Sequence, residues 1–142
     1  MSNLYLELKQ RQAKEFESFP IMFAFNKEQF AEGMKRLGLE PTDTDKIYNG
    51  FGGGFYRKTD AERLHGMFER FDKEFEEAIA ADETGDGFVL DMFSYELANH
   101  EYGYTGDLAP TLRALGLSID EIQESPKMLQ ALQKARQSCF ND

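Results

Sequence analysis

A chain of 142 residues with 41% apolar side chains, 13 phenylalanines and no tryptophan is long enough to bury a core without disulfides or metals, which excludes a disordered chain and makes one domain the expectation. Its single cysteine, Cys139, allows no internal disulfide, no apolar run approaches the roughly 18 residues of a membrane span, and the N-terminus lacks a basic stretch followed by an apolar one, so the cytoplasm is the expected compartment. The net charge is −10, and all of it falls in residues 69–107, where twelve acids meet only Arg70 and Lys73 while both flanks are balanced.

In chain order, Tyr5, Leu8, Gln12, Phe16 and Phe19 share a helical face, and Pro20 restricts the residue before it, so a first helix is predicted over 3–18. Ile21 to Phe25 is too short to assign by period and fits a buried extended segment. Asn26 with Gln29 reads as a capping box and Phe25 with Phe30 as a hydrophobic staple, opening a helix over 27–37 that Gly38 closes. The aromatic pieces around the glycines of 46–58 suit a small β-hairpin or, equally, a mobile loop. Thr59 and Glu62 form the next capping box, and Leu64, Phe68, Phe71, Phe75 and Ile79 mark a helix over 60–80. Gly85 and Asp86 end it and cap a helix over 87–101, with Val89, Phe93, Leu97 and His100 on one face. Asp107, the Ser118/Glu121 capping box and Ser125-Pro126 start three shorter helices, the last running to Arg136. The predicted class is mainly α, with about six helices in one domain spanning 1–142 and a candidate small β-hairpin near 46–58.

Several patterns resemble chemical motifs. Asp82-Glu83-Thr84-Gly85-Asp86-Gly87 imitates the start of an EF-hand loop, but the twelfth position, where a bidentate acid completes the calcium shell, is Phe93. Asp82, Asp86 and Asp91 remain the weak metal candidates. Glu62 with His65, and Glu96 with His100, have spacings that place two ligands on one helical face, yet the further carboxylates of a two-metal site are missing, and a surface intrahelical pair is the expectation for Glu96 and His100. The glycines of 50–54 precede Arg57-Lys58-Thr59 without a Walker or dinucleotide pattern, so a flexible turn is expected. Two histidines and no Gly-x-Ser-x-Gly elbow offer no nucleophilic triad. Residues 107–139 could arrange a helix-turn-helix, but that segment is electrically neutral, and duplex binding rests chiefly on phosphate neutralisation. No cofactor is expected.

Glu69, Asp72 and Glu76 fall on one helical face, and Asp82, Glu83 and Asp86 continue the negative charge, a field that attracts a basic protein surface rather than nucleic acid or membrane. The stretches Phe19 to Phe25, Asp91 to Tyr102 and Gly106 to Leu117 resemble an uncharacterised family of small acidic proteins from bacteria and their phages and mobile elements. That resemblance implies a protein-binding module, an inhibitor of host nucleic-acid-handling defence in the manner of an anti-CRISPR, acting through the acidic residues. The alternative is a cation-binding protein or small enzyme using the 82–91 loop or His65 and His100.

Overall fold

Asn3 starts the first helix, α1 (Leu4–Glu17), by accepting the Leu6 N–H on its side-chain oxygen at 2.9 Å. The computed structural model describes residues 2–140, and among these are seven further α-helices and three short strands. The chain forms two compact units, one of Met1–Gln12 with Lys73–Asp142 and the other of Ala13–Asp72. The boundaries fall within α1 and within α3 (Ala61–Ala81).

The first unit is organised around α4 (Phe88–Asn99), whose Val89, Met92, Phe93 and Leu97 are fully buried. A helix apolar on most sides belongs inside a bundle, and burial of each such side chain contributes about 1.5–3 kcal/mol. It packs chiefly against α8 (Pro126–Ser138), with α5 (Tyr102–Thr105), α6 (Ala109–Leu115), α7 (Ile119–Gln123) and the start of α1 completing the core. The predicted caps form at Ser118, where Glu121 closes a reciprocal capping box, and at Ser125, whose hydroxyl accepts the Met128 N–H. The helix predicted over 87–101 stops earlier, because Glu101 turns left-handed and starts α5.

In the second unit, β1 (Met22–Phe23), β2 (Ile47–Asn49) and β3 (Gly54–Arg57) form an antiparallel sheet in the order β1-β3-β2. The hairpin near 46–58 is therefore present, with Tyr48 opposite Tyr56. Its glycines serve the turn. Gly53 is left-handed (φ 77), and a Cβ there would stand 2.5 Å from the Ala24 carbonyl oxygen, leaving only glycine room for both the turn and the approach of the neighbouring strand. The segment 21–25, too short to assign from sequence, supplies β1 and is only partly buried: Met22 and Ala24 pack against the core while Phe23 and Phe25 face solvent. Phe25 thus forms no staple, and Phe30 instead meets Phe55 at 4.9 Å between ring centroids. Helix α2 (Lys27–Arg36) begins at the Asn26 cap and ends with the Leu39 N–H bonded to the Met34 carbonyl across Gly38, as predicted. The Thr59 capping box does not form. A 3-10 turn precedes α3, and the buried Asp60 holds this corner by pairing with Arg57 at 2.7 Å and Arg63 at 3.2 Å. Phe68 of the predicted apolar stripe is exposed and stacks on Phe16.

Candidate functional site

Helix α3 exposes Glu69 and Asp72 in the second unit and Glu76 in the first, and the loop after it exposes Glu83 and Asp86 in the first. Glu69, Asp72, Glu76 and Glu83 make no ion pair with any described residue, whereas Asp86 receives Lys134 at 2.6 Å. Asp82, half-buried, does something different. Its carboxylate accepts the N–H groups of Gly85 and Gly87 at 3.1 Å each and of Val89 at 2.9 Å, so it satisfies the first turn of α4 from outside that helix. The sequence pointed to Asp86 as the cap; Gly87 occupies that position, and the capping oxygen comes from Asp82.

Helix α8 clamps the same loop. Lys127 Nζ donates to the Ile79 carbonyl at 2.7 Å near the end of α3, and Lys134 binds Asp86. Gly85 is left-handed (φ 83), and a Cβ there would meet the Lys127 backbone oxygen at 2.9 Å. The basic side chains that a DNA-reading helix would present are thus turned to the protein itself, with Arg136 donating to the Tyr102 hydroxyl at 2.8 Å.

The three metal candidates do not converge. Asp82 is occupied by three backbone donors, Asp86 by Lys134, and Asp91 by the Leu4 N–H at 2.8 Å. Among the described residues no group of three or more His, Cys, Asp or Glu side chains is placed to hold an ion. Glu62 and His65 both lie exposed on α3.

Glu96 and His100 correct the expectation of a surface pair. Glu96 is only 5% exposed, and its carboxylate accepts a short hydrogen bond from the Tyr5 hydroxyl and a longer one from Asn99 at 3.3 Å. His100 Nε2 is buried with no hydrogen-bond partner among the described residues, 3.7 Å from Glu96 Oε1. Periodicity placed Tyr5 on a buried face, but no local signal couples it to a residue 91 positions away. Burial, then the hydrogen bond to the Glu96 carboxylate and its negative charge, hold the Tyr5 phenol far above its ordinary pKa. The folded state therefore keeps a proton that the unfolded chain releases near pH 10, so this contribution is complete below about pH 10 and is lost as pH rises above it. Urea titrations should show the unfolding free energy falling above about pH 10 by up to ~1.4 kcal/mol per pH unit, and Tyr5→Phe should remove that component of the slope.

Sequence reasoning also missed Glu101. It is the one non-glycine residue among those described with a positive φ (56°), and it borders a concavity of about 510 Å³ between α4, α5 and α8. Its flanking sequence carries no signal for either property.

The model of a family of unknown function matches residues 4–138, nearly the whole chain. The protein belongs to the DUF7659 family. The DUF7659 match includes Tyr5, the acidic residues of α3, Asp82, Glu96 and Glu101, so every candidate above lies inside it. Neither curated proteins nor solved structures yield a match. Among the described residues no helix is long and apolar enough to cross a membrane.

Proposed function

We propose that this DUF7659 protein is a non-enzymatic binding module of the cytoplasm that engages a basic protein surface, and that it serves a bacterial mobile element or phage as an inhibitor of host nucleic-acid-handling defence. The observation that carries this reading is the division among its acids. Asp60, Asp82, Asp91 and Glu96 are spent inside the fold, while Glu69, Asp72, Glu76 and Glu83 stand in solvent with no ion pair to any described residue. Exposed carboxylates of one sign raise the encounter rate with a positive partner.

The test compares the native chain with Glu69→Gln/Asp72→Asn/Glu76→Gln/Glu83→Gln, a set that leaves the Asp82 cap intact. In affinity capture from host lysate, the native chain should recover a basic, nucleic-acid-handling protein. The purified pair should bind at least about tenfold more weakly with the neutralised chain, and also as salt shortens the screening length. The native chain should then block nucleic-acid binding by that partner. Equal affinity for the two chains, or no effect of salt, would remove the acidic residues as the binding surface.

A further inference from the structure

We infer that the concavity between α4, α5 and α8 receives a lysine side chain of the partner protein. The inference rests on the reading that the partner is basic, and it identifies a second contact, within the first unit alone. The concavity measures about 510 Å³, is open to solvent, and has room for a lysine side chain.

Its wall is chemically divided. Leu97, Ala135 and Cys139 supply apolar surface for an aliphatic stem, and Ser94, Glu101 and Ser138 supply oxygens. Among the described residues no Lys or Arg lines it. Glu101 is exposed and makes no ion pair with any described residue. The nearby Arg136 is already engaged, bonding the Tyr102 hydroxyl and lying 5.6 Å from the centre of that ring. The unmet charge is therefore negative, at the edge of an apolar surface, and its complement is a cation on a hydrocarbon chain. A lysine meets that description, with its four-carbon stem on the apolar wall and its ammonium at the Glu101 carboxylate. Ser138 Oγ donates to the Lys134 carbonyl at 3.2 Å, which leaves its lone pairs to accept.

Two features of the rim support a bound cation. Tyr104 at the rim is 96% exposed, which leaves its ring open to a cation. Glu101 holds a left-handed backbone (φ 56, ψ 39) that glycine would adopt without steric cost, so the chain places a carboxylate here against its own backbone preference.

The test is an NMR titration of the full chain with the capped peptide acetyl-Gly-Lys-Gly-amide and with its Nε-acetylated form. Amide shifts should concentrate in residues 94–104 and 135–139. Acetylation of the lysine, Glu101→Gln, and Ala98→Phe at the exposed edge should each weaken binding about tenfold or more. Glu101→Gly should lose binding while its Tm stays at or above the native value, which separates lost recognition from lost folding. Shifts outside these segments, or equal affinity after acetylation or in Glu101→Gln, would overturn the assignment. Because the peptide needs only the concavity, Glu69→Gln/Asp72→Asn/Glu76→Gln should bind it as the native chain does. Partner capture that persists without peptide binding rejects the concavity alone, and peptide binding without charge-dependent capture rejects the α3 surface alone.

Discussion

Tyr5→Phe should lower the unfolding free energy by about 2–3 kcal/mol near neutral pH, measured by urea titration with far-UV circular dichroism. The substitution keeps the ring, which packs edge-on against Phe75 and Phe88, and removes only the hydroxyl. What is lost is the hydrogen bond to a carboxylate that is nearly sealed from water, leaving Asn99 at 3.3 Å as its one hydrogen-bond donor. Such a bond to a charged group is worth more than a neutral one, and stranding the buried partner adds its desolvation. Glu96→Gln in the Tyr5→Phe background should recover part of the loss, because a neutral amide is cheaper to leave buried; a double-mutant cycle should give a coupling of at least about 1 kcal/mol. A loss below about 0.5 kcal/mol would show that the pair contributes little to stability.

Asp82→Ala is expected to cost about 2–4 kcal/mol, the largest effect of any single acidic residue in the loop, because three backbone N–H groups lose their acceptor at once. Asp82→Asn keeps one carbonyl oxygen and should cost roughly half as much. Calcium should leave the Tm of the native chain unchanged, since recruitment of Asp82 as a ligand would release those donors; a concentration-dependent rise would restore the cation reading. Glu83→Ala, exposed and without an ion pair, should change stability by less than about 0.5 kcal/mol, which sets the reference for the loop.

The readable parts of the fold are those whose signals are local. Helix 61–81 was marked by a long apolar period, the ends of α2 and α7 by side chains that cap within three residues, and the hairpin by aromatics around glycines. Strand β1 was not readable, because two residues have no period and their extended state depends on pairing with β3, more than thirty positions along the chain. The same limit applies to the site. Acids could be counted from sequence, but whether an acid is a cap, a buried acceptor or an open surface charge depends on groups that folding brings to it. Asp82 and Glu83 are neighbours in an identical composition, yet one organises a helix and the other faces water. Glu101 belongs to the same category, since its left-handed backbone arises where α4 stops and α5 begins, with no glycine or asparagine at that position to signal it.

The division of the chain into units has a consequence for the order of folding on the ribosome. Residues 13–72 are contiguous and close around Met34, Leu37, Ile47 and Phe55, so this unit can be completed as soon as its own segment has emerged. The other is discontinuous: Tyr5 meets Glu96 only after a loop of about ninety residues has been closed, and α8 must follow before α4 is covered. Until then Tyr5 and Leu8 wait as exposed apolar groups on α1, and a segment translated late decides when an early one is protected.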